Sequence, residues 1–189
     1  MGKEKRERSR GGSVLGALLG WILYIAVIIG LALLIITFVG QRTSVSGHSM
    51  ETTLQDGDQL IVDKISYRFK EPKRFDIIVF PYQYEENVFY IKRIIGLPGE
   101  TVQVKEGYTY INGQKLESDV YGAEVMEGGG IAEEPIVLGK DEYFVLGDNR
   151  NHSSDSRDPS VGVLTRKDLL GRAWLRIYPF DHMGVIEHE

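Results

Sequence analysis

The chain contains no cysteine, which excludes a disulfide framework, a thiol nucleophile and cysteine-ligated zinc or iron–sulfur sites. Beyond residue 41 it also lacks any long apolar run with helical period, so short strands are left as the building material. Common phosphate and hydrolase signatures are missing too. The glycines of "EGGG" (127–130) are not flanked by a strand and a GK[ST] helix start, "GHSME" lacks the last glycine of a G-x-S-x-G elbow, and no S-x-x-K occurs. The polar run "GDNRNHSSDSRD", with Asp148, His152, Asp155 and Asp158, fits neither an EF-hand nor a helical His-x-x-x-His pair. No metal and no cofactor are expected.

Charge is absent from Val14 to Val39, a 26-residue run longer than the roughly 20 residues that cross a bilayer as a helix. A cleaved secretory signal would have a shorter apolar core and a small-residue cleavage site. The run is therefore expected to be a retained single-pass anchor in a cell membrane, with the lipid bilayer as a partner. Lys3, Lys5, Arg6, Arg8 and Arg10 precede it and only Arg42 follows closely, so the amino terminus should be cytoplasmic and the remainder extracytoplasmic. The expected organisation is a basic tail over 1–13, a transmembrane helix over 14–39 and one domain over 40–189. Of the 22 Lys and Arg, five lie in the tail, and of the 27 Asp and Glu, two; the outer domain is left at net −8. Such a domain is no nucleic-acid binder.

What the outer domain does contain is strand pattern. "DQLIVD" at 58, "FDIIVF" at 75, "VFYIKRIIG" at 88, "ETVQVK" at 100, "EYFVLGD" at 142 and "RAWLRIYPF" at 172 are short apolar or alternating runs. Asn112-Gly113 inside "YTYINGQKL" signals a hairpin. The segment from Glu117 to Pro135 has the weakest pattern and reads as an exposed excursion. The fold class is mainly β: a single N-terminal transmembrane helix followed by an antiparallel β-rich domain.

Chemistry without thiols needs an activated hydroxyl, a carboxylate pair or a metal. Ser49 lies about ten residues beyond the span, a stretch that extends at most about 33 to 36 Å. His48 is a poor base for its own neighbour, because successive residues of an extended segment point to opposite faces. A lysine can serve instead if burial keeps its amine neutral. Among the domain's eight lysines only Lys92 lies inside an apolar run, "NVFYIKRIIGLPGE", sharing a face with Tyr90 and Ile94 while Arg93 shares the other with Ile91 and Ile95. On its own a lysine at such a position is more often an edge residue reaching for water.

Taken in chain order, the anchor, "SGHSMETTL", "RFDIIVF", "YIKRIIGLPGE" and "GDNRNHSSDSRDPSVGVL" resemble the bacterial type I signal peptidases over nearly the whole sequence. The resemblance implies a serine endopeptidase in which Ser49 is the nucleophile and Lys92 the general base of a Ser-Lys dyad. It implies that Ser153 orients the lysine amine and that Asp148, Asp155 and Arg157 shape the site; the residue types alone suit a turn held by carboxylate–guanidinium bonds. Met50, Leu54, Tyr90 and Ile91 match positions of shallow pockets for small substrate side chains, although each also reads as plain β core.

Three positions depart from the family pattern. Thr52 stands where proline is usual, which predicts a less rigid loop. Gly47 stands where some members use a serine hydroxyl as oxyanion donor, which shifts that duty to a main-chain N–H, most simply that of Ser49. His152 replaces a common asparagine. The implied substrates are preproteins bearing signal peptides, whose cleavage site emerges beside the same membrane. The alternative is a catalytically inert relative acting as an assembly factor, and the presence of both Ser49 and Lys92 speaks against it.

Overall fold

The computed structural model describes residues 16–31, 40–122 and 124–188. The chain divides into two units, residues 1–39 and 40–189. In the first, residues 16–31 form a helix, α1, with exposed side chains; the two ends of the 14–39 run and the basic tail lie outside the described residues. Among the described residues no helix is long and apolar enough to cross a membrane.

The second unit follows the expected strand pattern. In β2 (Gln59–Asp63) Leu60 and Val62 are buried and their neighbours half-buried, the period-two burial of a strand with one face on a core. β3 (Ile77–Pro81) buries its first four residues and β4 (Phe89–Gly96) its last six, as continuous apolar runs do when both faces are covered. The larger sheet runs β1 (Gly40–Ser44), β2, β11 (Gly171–Tyr178), β3, β4, β9 (Glu142–Leu146), β10 (Leu164–Thr165), with β12 (Gly184–Val185) also on β11. The smaller runs β7 (Gln114–Lys115), β6 (Tyr108–Ile111), β5 (Thr101–Lys105), β8 (Ile136–Val137). All pairings are antiparallel. One four-residue helix, α2 (Ser66–Phe69), follows β2.

β4 joins three apolar clusters. Ile91 packs with Val45, Met50, Leu54 and Leu60, Ile95 with Phe75, Val102 and Leu146, and Ile94 with Ile78, Phe80 and Val145. Its pairing is uneven. β3 covers it from Phe89 to Arg93, whereas β9 joins only from Arg93 onward, so Phe89–Lys92 keeps one edge without a strand partner among the described residues.

The hairpin expected at Asn112-Gly113 forms between β6 and β7, with φ of 51° and 80° at the two turn residues, the backbone that Asn-Gly favours. The segment from Glu117 to Pro135 is largely exposed, as expected, but it is pinned at a few points. Met126 and Ala132 are buried in the cluster beneath the smaller sheet, and Asp119 makes a two-pronged contact with Arg150 at 2.6 and 2.8 Å. Its hold comes from tertiary contacts between residues distant in sequence, which leave no periodic trace. Both side chains of that pair are buried, and a buried charge stripped of its partner costs about 3 kcal/mol or more. Arg150→Ala should accordingly lower unfolding free energy by about 3 kcal/mol in a denaturant titration, whereas Asp119 and Arg150 replaced together should lower it by less.

Candidate active site

The turn carrying Ser49 is built by the residues around it. After β1, the Val45 N–H donates to Asp58 O and the Gly57 N–H to Val45 O. Gly47 takes φ +92° and gives its N–H to Asp56 Oδ1 at 2.8 Å. Met50 and Leu54 then plug into the core below, with the Leu54 N–H bonded to Met50 O at 2.8 Å. Anchored on both sides, Ser49 is held at the surface half-exposed. A second segment clasps the turn from outside: the Asn149 N–H donates to Ser49 O and its side-chain amide to His48 O, both at 3.1 Å. Gly147 makes this possible, because a β-carbon there would collide with the Ser49 carbonyl and the Ser153 hydroxyl.

β4 brings Lys92 to the same place. Its side chain is 3% exposed, and Nζ lies 2.7 Å from Ser49 Oγ and 2.9 Å from Ile91 O, with the Tyr90 ring 5.0 Å away. Burial pushes the amine from its ordinary 10.5 down to about 8, against the opposing pull of Asp155 and Asp148. The reading of Lys92 as a side chain reaching for water is thereby excluded. His48 is not paired with Ser49, its Nδ1 lying 2.6 Å from Glu51 Oε1 in an exposed pair, but the segment is a turn and not the extended run on which that expectation rested.

The other expected residues divide. Asp148 is fully buried and held by two bonds from Arg93, at 2.8 and 2.7 Å, and by the Thr53 hydroxyl. Asp155 accepts the Gly147 N–H at 3.1 Å and pairs with Arg157 at 2.8 and 2.9 Å, the turn-holding arrangement that the residue types suggested. Ser153 does not reach the lysine: its Oγ is buried with no hydrogen-bond partner among the described residues. The amine is engaged by Ser49 and its own strand's carbonyl instead. Met50, Tyr90, Ile91 and Lys92 line a cleft of about 250 Å³, together with residues 43–49, Phe89, His152 and Ser154. Leu54 lies outside the lining, wholly buried beneath Met50 in the core.

Thr52 was expected to loosen its loop, and the structure differs. Its φ is +77°, a conformation closed to proline, whose ring fixes φ near −65°. The neighbouring residues are tied down: the Thr53 hydroxyl contacts Asp148, and Arg176 donates to Thr53 O at 2.6 Å. Missed by the sequence reading were Gly147, Asn149, Thr53 and above all Arg93. The signal for Arg93 was present, since two consecutive cations in an apolar strand buried on both faces each need a partner.

Comparison with known proteins assigns the chain to a family. Residues 18–178 match the family model described as signal peptidase, peptidase S26. The chain belongs to that signal peptidase family. Curated relatives include a probable signal peptidase I-2 of Synechocystis sp., 42% identical over 161 residues covering 82% of this chain and 71% of that protein. Signal peptidase I of Leptolyngbya laminosa is 44% identical over 161 residues, covering 82% and 76%, and that of Bacillus amyloliquefaciens 35% over 189 residues, covering 97% and 98%. A crystal structure of a signal peptidase I from Enterococcus faecalis superposes with a TM-score of 0.41 at 34% identity, over 55% of this chain and 97% of that one. Membership makes the chain a serine endopeptidase, a hydrolase.

Below about pH 8 both the folded and the unfolded lysine are charged, and the full desolvation cost of Lys92 stands. Between pH 8 and 10.5 the unfolded chain still binds a proton that the folded one has released, so stability rises with pH. Lys92→Met should therefore raise unfolding free energy at pH 7 by on the order of 2 to 3 kcal/mol, with the gain fading toward pH 10.5 in paired denaturation curves. At Thr52, a left-handed backbone costs a non-glycine residue about 1 kcal/mol. Thr52→Gly should be neutral to stabilising by about that amount, and Thr52→Pro destabilising, when melting temperatures are compared.

Proposed function

We propose that the protein is a membrane-anchored endopeptidase that removes N-terminal signal peptides from exported preproteins, with Ser49 as nucleophile and neutral Lys92 as general base. The observation that carries this reading is the 2.7 Å approach of a buried, pKa-lowered amine to the Ser49 hydroxyl. An amine titrating near 8 is neutral in about a tenth of molecules at pH 7 and can accept the serine proton. The Ser49 oxygen attacks the scissile carbonyl, the ammonium returns the proton to the leaving amine, and water hydrolyses the acyl-enzyme with Lys92 again as base. Oxyanion stabilisation falls to the Ser49 N–H, which has no acceptor among the described residues, whereas that of Gly47 is committed to Asp56.

Substrate fit supports the same reading. The unpaired edge of Phe89–Lys92 borders the cleft, and an extended peptide can add to such an edge through main-chain bonds. Met50, Tyr90 and Ile91 would form the shallow walls that admit small side chains, with Leu54 supporting Met50 from below. Asp148, Asp155 and Arg157 serve as scaffold for the dyad, and Ser153, its hydroxyl buried against Gly147, lies behind the serine turn. The uncharged run over 14–39 would hold the enzyme in a cell membrane with its amino terminus cytoplasmic and residues 40–189 outside. The partners are then preproteins and the bilayer, with no nucleic acid.

The test is cleavage of a preprotein by the purified full chain in detergent. Ser49→Ala and Lys92→Ala should each lower kcat by about a thousandfold or more, and the wild-type rate should climb with pH through an inflection near 8. Cleavage that survives both substitutions would sink the assignment.

A further inference from the structure

Residues 186–188 are tied into the core beside the site. The Ile186 N–H donates to Trp174 O of β11 at 2.9 Å, and its side chain packs in the cluster that also holds Met50 and Leu54. His188 is 6% exposed. Its Nδ1 accepts the Ile77 N–H of β3 at 2.9 Å, beyond the point where β11 stops pairing with that strand; the ring thus continues a ladder that has run out of strand. Its carbonyl accepts from Arg93 Nη1 at 3.3 Å and from the Tyr121 hydroxyl at 3.0 Å, while the Tyr121 ring lies 3.6 Å from the Arg93 guanidinium carbon.

Arg93 is the residue through which this contact reaches the dyad. It follows Lys92 on β4, binds Asp148 with two bonds, and donates to Thr53 of the serine turn at 3.1 Å. Resting on the dyad reading given above, we propose that His188 is a positioning residue for the Ser49–Lys92 pair: it fixes Arg93, and through Arg93 both the serine turn and the charge that Lys92 feels.

The electrostatic half of this has a defined sign. Asp148 and Asp155 are the anionic groups acting on the Lys92 amine, and both favour its charged form. Arg93 neutralises Asp148, and Arg157 neutralises Asp155. If the guanidinium of Arg93 drifts, the charge of Asp148 acts on the amine uncompensated, and the base titrates at higher pH. The clamp itself does not titrate in the working range. Asp76, Arg172 and Arg93 are the charged groups around the imidazole, and burial, reinforced by the two arginines and opposed by Asp76, holds it down to about 4.

The experiment measures preprotein cleavage by the full chain in detergent between pH 6 and 10. His188→Ala should lower kcat about tenfold, leave KM within about twofold, and move the inflection upward by about one pH unit. His188→Asn, which keeps an acceptor near the place of Nδ1, should restore both to within about twofold. Tyr121→Phe removes one bond to the His188 carbonyl but keeps the ring under Arg93, and should shift the inflection in the same direction by less. Wild-type kcat and inflection in His188→Ala would overturn the proposal, as would a lowered melting temperature with an unmoved pH profile. If His188→Ala does not fold, an unchanged profile in Tyr121→Phe overturns it equally. Any of these results leaves the dyad standing, whereas cleavage that persists in Ser49→Ala removes the dyad and this proposal together.

Discussion

The buried guanidinium of Arg93 is the constraint around which the domain is arranged. With no exposure to water, each of its five N–H groups must find an acceptor, and each does: Asp148 twice, Phe75 O, His188 O and the Thr53 hydroxyl. Those acceptors come from the residues before β3, the turn after the serine, the segment after β9 and residues 186–188. An apolar core would hold the same pieces together with less demanding geometry. A fork of fixed shape dictates where each one sits.

Lys92 imposes the opposite demand, since it needs burial without compensation. Its amine has two contacts, the serine hydroxyl and a neutral carbonyl, and the two nearby carboxylates are each occupied by an arginine. Desolvation therefore prevails over attraction, and the neutral form lies within reach near neutrality. Such an arrangement works against folding stability, a common cost of a reactive site. The apolar clusters on either side of β4 offset it.

Much of this was legible in the sequence, and what was legible shares a property. The strands from Gln59–Asp63 to Gly171–Tyr178, the Asn112-Gly113 turn and the approach of Lys92 to Ser49 all follow from local periodicity or from motifs in chain order. What was illegible depends on contacts between distant segments. Asp119 with Arg150 and Met126 in the core hold down a stretch with no pattern of its own. Nothing local marks His188 as a cap on Ile77. Leu54 lies in the core rather than along the cleft, a choice that its apolar character left open. Thr52 was weighed by which residue it replaced, whereas its backbone angle, φ +77°, is set by how the turn closes.

Lys92 and Arg93 are adjacent on β4. Neighbouring residues on a strand point to opposite faces, so β4 sends an amine into the cleft and a guanidinium into the core across a single peptide bond. The guanidinium neutralises the carboxylate that would otherwise keep the amine charged, and it fixes the turn that offers the serine. A lysine at both positions would fail at the second, because an ammonium cannot supply five directed donors. An arginine at both would fail at the first, because it does not give up its proton. The order Lys-Arg is thus a chemical requirement of the arrangement.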